Sequence, residues 1–203
     1  KNSEESISQI KACIDYIKVI ANENGIAAAR PLWLPALSKE IDIHDINVEN
    51  IMFAGSIKAV VGMIDNPESQ SQYPYYIDFS EFSNLMIVGN QGCGKSTFIQ
   101  TILYSMAMNY HSDDVNFYIL DFSSGLLHNF MKLPHCGNVA QVDEEDSVNR
   151  TIRYLISVIE ERNQIFKKAG VGGFWEFKKI SKEPMPLLLL VIDNYFAFGE
   201  NYE

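Results

Sequence analysis

Gly89-Asn90-Gln91-Gly92-Cys93-Gly94-Lys95-Ser96-Thr97 fits the pattern G-x-x-x-x-G-K-[ST] at every fixed position, with Gly89, Gly94, Lys95 and Ser96 in the required slots. A chain of 203 residues meets those letters by accident about once in a hundred, so the flanks decide the reading. On the amino side, Leu85-Met86-Ile87-Val88 runs straight into Gly89, as a buried parallel strand does before a tight turn. On the carboxyl side, Phe98, Ile99, Ile102, Leu103, Met106 and Ala107 recur at helical spacing. Strand, glycine turn and helix in that order imply an α/β fold with a mainly parallel central sheet flanked by helices.

The glycines let the backbone curl so that successive N–H groups point inward, and the helix start adds its positive dipole end. The N–H groups of Asn90, Gln91, Gly92, Cys93, Gly94, Lys95 and Ser96 are therefore expected to cradle the phosphates of a nucleoside triphosphate. The Lys95 ammonium is placed to bridge β and γ, the Ser96 hydroxyl to ligate Mg2+, and Thr97 to touch the α-phosphate. About a hundred residues on, Leu187-Leu188-Leu189-Leu190-Val191-Ile192 reads as a buried strand that delivers Asp193 at its carboxyl end. Asp193 is expected to hold the ion from the opposite side, directly or through water. Many ATPases of this strand arrangement put glutamate directly after that aspartate to orient the attacking water, and here the position is Asn194. An amide orients water but cannot accept its proton, so nucleotide binding with slow turnover is the expectation.

The bulk numbers fit one well-buried domain with an appendage, since 47% of the residues are hydrophobic. A net charge of −10 argues against a nucleic-acid contact spread over the whole surface, though not against a local basic strip. Cys13, Cys93 and Cys136 show no metal or disulfide spacing and fit a reducing compartment. Cys93 fills a free slot of the loop, either as a redox-sensitive thiol or, the reading preferred, simply as a small residue. The four histidines, at 44, 111, 128 and 135, lack ligand spacing and default to turn or surface roles. There is no signal peptide at the start, and the run Leu187 to Ile192 is too short to span a bilayer. The chain lacks an initiating Met and stops soon after a strand, so it reads as cut from something longer, with the C-terminal part of the domain beyond residue 203.

Residues Ser3 to Asn24 carry an apolar stripe, Ile7, Ile10, Ile14, Ile17 and Ala21, on a helix capped by Asn24-Gly25 and expected to pack on its own domain. Residues 1–30 are thus helix and linker, and 31–203 the main domain. Arg30-Pro31-Leu32-Trp33-Leu34-Pro35-Ala36-Leu37 is an extended connector, with Trp33 as its apolar anchor. Strands are expected at Ile57–Ile64, Tyr75–Phe79, Val115–Leu120 and Asn138–Val142. Asp121 is either a site residue at a strand end or a cap for the turn Ser123-Ser124-Gly125, with the two readings even. Asp143-Glu144-Glu145-Asp146 reads as a dipole-matched start to a long helix through Phe166, stopped by Gly170-Val171-Gly172-Gly173. Glu160-Glu161-Arg162 reads as a solvated face with local ion pairs.

Several segments outside the loop carry a resemblance. Trp33-Leu34-Pro35, the run Val61-Gly62-Met63-Ile64-Asp65-Asn66-Pro67-Glu68-Ser69-Gln70-Ser71-Gln72, Leu133-Pro134-His135-Cys136-Gly137 and Glu161-Arg162-Asn163-Gln164-Ile165-Phe166 are similar to segments of the FtsK/SpoIIIE-type P-loop ATPases. Within these, the chain most resembles a C-terminal ATPase domain of the type VII secretion ATPases, the EssC/EccC/YukB group. The resemblance covers about Arg30 to the end. It implies a RecA-like domain that binds ATP and Mg2+, set among neighbouring ATPase domains of one longer chain. It also implies a cytoplasmic place behind a membrane anchor carried by other parts of that chain, small helical WXG-type exported proteins as partners, and a homo-hexamer as one assembly. A DNA translocase domain and a docking module that retains nucleotide without turnover are the alternatives. DNA-pumping relatives carry a basic residue after the strand ending at Asp121, where Phe122-Ser123-Ser124 stands here.

Overall fold

The computed structural model describes residues 9–27, 29, 33–46 and 55–202. The chain divides into two compact units, Lys1–Ala36 with Asn66–Ser71, and Leu37–Asp65 with Gln72–Glu203. In the smaller unit, α1 (Gln9–Glu23) ends as expected on Gly25, whose φ of +65° suits glycine, with the Ile26 N–H closing on the Ala21 carbonyl at 2.9 Å. The Asn24 amide adds a bond to the Ile20 carbonyl. The expectation that the stripe packs is corrected: α1 buries no residue, and Ile10, Ile14 and Ile17 are all exposed. Ile7 and the connector residues Arg30, Pro31 and Leu32 lie outside the described residues. Trp33 is 72% exposed rather than serving as an apolar anchor among the described residues, and the Leu34 N–H donates to Gln70 Oε1 at 3.2 Å.

The larger unit is built on a three-stranded parallel sheet in the order β4-β3-β5, with β3 at Val115–Asp121, β4 at Cys136–Gln141 and β5 at Leu187–Asp193. Alternation along β3 explains its two faces. Val115, Phe117 and Ile119 are fully buried with Leu103 and Met106 of α2 (Lys95–Asn109). Leu120 on the other face is buried with Val148 of α3 (Glu145–Ala169), flanked by Phe198 and Tyr202 of α5 (Tyr195–Tyr202). Helices thus cover both faces. Gly170, at φ +71°, stops α3, and α4 (Phe174–Ile180) follows.

A separate hairpin pairs β1 (Lys58–Asn66) with β2 (Ser71–Asp78), both longer than the sequence suggests because the turn falls at 67–70. It contains the buried ion pair Lys58 Nζ–Asp78 Oδ2 at 3.3 Å. Burial opposes the Asp78 charge, but the Ser80 hydroxyl and N–H and then Lys58 outweigh it and hold the carboxyl below its ordinary value. Burial likewise opposes the Lys58 charge, and the hydrogen bond and charge of Asp78 raise it regardless. A lowered acid contributes stability above its unfolded value, here 3.8, and loses it as pH falls further. The raised lysine contributes below 10.5 and loses it as pH climbs through its folded value. Asp78→Asn is therefore expected to cost about 3 kcal/mol at neutral pH. Urea unfolding at neutral pH and near pH 3 checks this, since the gap between variant and wild type should shrink in acid.

Two further expectations are corrected. Leu85–Val88 enters the loop but joins no ladder: Leu85, Met86 and Val88 are 45%, 78% and 84% exposed, and only Ile87 packs on the core. An apolar run becomes a strand only where a neighbour supplies hydrogen bonds, and among the described residues this segment pairs with no strand. β5 is half-buried rather than buried, because it forms the sheet edge and exposes Leu190. His135 takes the turn alternative of its expected roles, and within that turn it is buried, stacked on Phe117 with Nε2 against the Tyr110 carbonyl.

Candidate nucleotide site

The loop from Gly89 to Thr97 sits where α2 begins, and its geometry follows from its glycines. Gly94 caps α2 at φ +91°, a left-handed conformation that side chains disfavour. A Cβ at Gly89 would stand 2.5 Å from Cys93 Sγ, so any larger residue there must push the Cys93 side chain aside. Cys93 N–H reaches the Asn90 carbonyl at 3.3 Å and Phe98 N–H the Gly94 carbonyl at 2.8 Å. Among the described residues, the N–H groups of Gly92, Gly94, Lys95, Ser96 and Thr97 find no protein acceptor. Unpaired donors around one bend, at a helix start, are what an anion could use, although the Cys93 N–H of the expected cradle is taken by Asn90.

Gly89→Ala is expected to weaken phosphate binding several-fold by displacing the Cys93 side chain. The same change in a Cys93→Ala background should recover most of the loss, which nucleotide titration of the three variants would show.

Lys95 folds over the loop, its Nζ donating to the carbonyls of Gly89 at 3.0 Å and Asn90 at 2.8 Å. Phosphate oxygens are the better acceptors for an ammonium, since charge-assisted bonds are roughly twice as strong as those to neutral carbonyls. Ser96 Oγ donates to Asp193 Oδ2 at 2.7 Å, across 97 residues of sequence. Asp193 is 4% exposed and ends β5. A hydroxyl and a carboxylate side by side are hard oxygen donors, spaced much as neighbouring ligands of a small octahedral cation, so the residues present fit Mg2+.

Asp121 pairs in register with Asp193 but is turned to another task. Its Oδ1 accepts from the Ser123 N–H at 3.1 Å and its Oδ2 from the Leu127 N–H at 3.0 Å, which is the capping alternative. Asn194 adopts φ +65°; its Nδ2 donates to the Phe122 carbonyl at 3.2 Å, and its Oδ1 accepts from the Ala197 N–H at 3.4 Å. Phe122, which sequence alone marked only as a departure, thus lies beside both strand ends. Arg162 is half-buried instead of solvated, and among the described residues it makes no ion pair. Desolvation, partly offset by Tyr154 and Tyr118, lowers its pKa, and Phe174 lies under its guanidinium at 6.0 Å. Two cavities, of about 330 Å³ beside Tyr118 and Tyr154 and about 470 Å³ beside Tyr75 and Met86, include neither Ser96 nor Asp193.

The chain is similar to known proteins over most of its length. The chain is 26% identical over 206 residues to the type VII secretion system protein EssC of Staphylococcus aureus strain Mu50, covering 99% of this chain and 14% of that protein. The cytoplasmic domain of the Thermomonospora curvata type VII secretion ATPase EccC superposes with a TM-score of 0.76 at 25% identity, over 100% of this chain and 25% of that one. ATPases 2 and 3 of Thermomonospora curvata EccC, solved in complex with a signal sequence peptide, superpose with a TM-score of 0.67 at 28% identity, over 83% of this chain and 32% of that one. The chain therefore spans only a small fraction of the relatives it matches. With residues 59–192 matching the FtsK/SpoIIIE family model, the chain belongs to the FtsK/SpoIIIE family and is related there to the EssC and EccC secretion ATPases.

Proposed function

We propose that this chain binds ATP with Mg2+ through Gly89–Thr97 and Asp193 and serves as one ATPase domain of a longer type VII secretion protein. The observation that carries this is the 2.7 Å contact between Ser96 and Asp193, which joins the loop to the end of β5. Bound Mg2+-ATP would supply the phosphoryl group and its charge. The backbone amides at 92 and 94–97 hold the phosphates, Lys95 neutralises them, and Ser96 and Asp193 supply the metal oxygens.

Hydrolysis by the isolated domain is slow in this reading, because position 194 carries an amide and not a carboxylate. The domain works at the cytoplasmic face of the membrane, beside neighbouring ATPase domains of the same chain, with a homo-hexamer as one assembly. Its exported partners are small helical WXG-type proteins, in line with the signal peptide seen on the relative's ATPases 2 and 3. A net charge of −10 disfavours DNA as the cargo. Titration of Mg2+-ATP into wild type and Ser96→Ala, with turnover followed on the same samples, tests the reading. Saturable binding weakened by the substitution, with little hydrolysis, supports it; brisk hydrolysis or binding indifferent to Ser96 contradicts it.

A further inference from the structure

We infer that Asn194 is a positioning residue that holds the Asp193 carboxylate beside Ser96, and not a group that acts on water. The inference rests on the nucleotide reading for its functional meaning, but its geometry stands alone. At φ +65° residue 194 occupies the left-handed region, which asparagine tolerates far better than alanine or glutamate. Its amide donates to the Phe122 carbonyl while its carbonyl oxygen caps α5 at Ala197. The Phe122 N–H in turn donates to the Asp193 carbonyl at 3.1 Å. Both backbone polar groups of Phe122 are thus stitched to consecutive residues at the end of β5. The Phe122 ring packs edge-on against Phe198 at 5.6 Å and Tyr202 at 5.8 Å, which fastens α5 to the same point.

Asp193 is therefore flanked by a closed bracket: β3 exit, residue 194, first turn of α5. Its carboxylate reaches Ser96 because the backbone carrying it is fixed on both sides. A residue that oriented water would need its polar atoms turned to the phosphate, and here one amide N–H and one carbonyl lone pair already serve the bracket. Partners one step behind a metal ligand commonly set its affinity by tenfold or more.

The test uses Asn194→Ala, Asn194→Gly and Asn194→Glu in the same chain, comparing ATP affinity with and without Mg2+. The gain from Mg2+ should fall by about tenfold in all three, while affinity without Mg2+ stays within about twofold. Asn194→Gly keeps the left-handed backbone, so a loss there belongs to the side chain and not to misfolding. A glycine variant with the full Mg2+ gain, or a glutamate variant that hydrolyses at least tenfold faster with that gain intact, overturns the inference. A crystal structure of Asn194→Gly without nucleotide reads the bracket directly: the Ser96–Asp193 contact should open, and an unchanged contact refutes the positioning role. If wild type binds no nucleotide, the nucleotide reading fails, and this structural arm still decides the inference.

Discussion

Lys95→Ala is expected to lower ATP affinity on the order of a hundredfold, because the ammonium makes one or two charge-assisted bonds to phosphate at about 1.5–3 kcal/mol each. Folding should barely change. The bonds lost in the free protein run from an amine to two carbonyls of an exposed loop, and such surface contacts contribute little. Calorimetric titration beside thermal unfolding separates the two effects. Equal affinities would mean that the loop is not where the nucleotide sits. A large fall in melting temperature would mean that Lys95 is a structural strut.

Asp193→Asn should erase the Mg2+ dependence of binding while sparing binding itself. The amide keeps an oxygen to accept from the Ser96 hydroxyl, so the 2.7 Å contact and the end of β5 survive. What it lacks is the negative charge that a small, strongly hydrated cation requires. Affinity for ATP in the presence of Mg2+ should fall by roughly tenfold or more, and affinity in chelator should hold or rise slightly as a repulsive charge disappears. Titrations with Mg2+ and with chelator give the ratio directly. An unaltered ratio would remove Asp193 from the metal site.

The loop and its partner were legible because each combines a local signature with an obligatory context. Gly94 is fixed by the backbone bend itself, Lys95 and Ser96 by their place at the helix start beside it, and Asp193 by the apolar run that carries it to the sheet's carboxyl edge. Leu85–Val88 was misread because apolar composition reports burial or pairing without saying which neighbour supplies it. The α1 stripe failed similarly: spacing fixes a helix and its face, not what covers that face.

The roles of Asn194 and Phe122 were hidden for another reason, which also left Asp121 at two even readings. Side-chain hydrogen bonds across a turn depend on which backbone groups the fold leaves unpaired, and Asn194 meets Phe122 across 72 residues of sequence. Arg162 reads as a surface charge in the sequence because helical spacing shows its own helix but not Phe174, which follows on the next.

The central claim is that Ser96 and Asp193 serve one metal-bound polyphosphate. A double-mutant cycle on Mg2+-ATP affinity, with Ser96→Ala, Asp193→Asn and the pair, tests it most directly. Residues that share an ion lose it together, so the double variant should bind no more weakly than the worse single variant, by strong non-additivity. Losses that simply add would show two independent contacts and contradict the account.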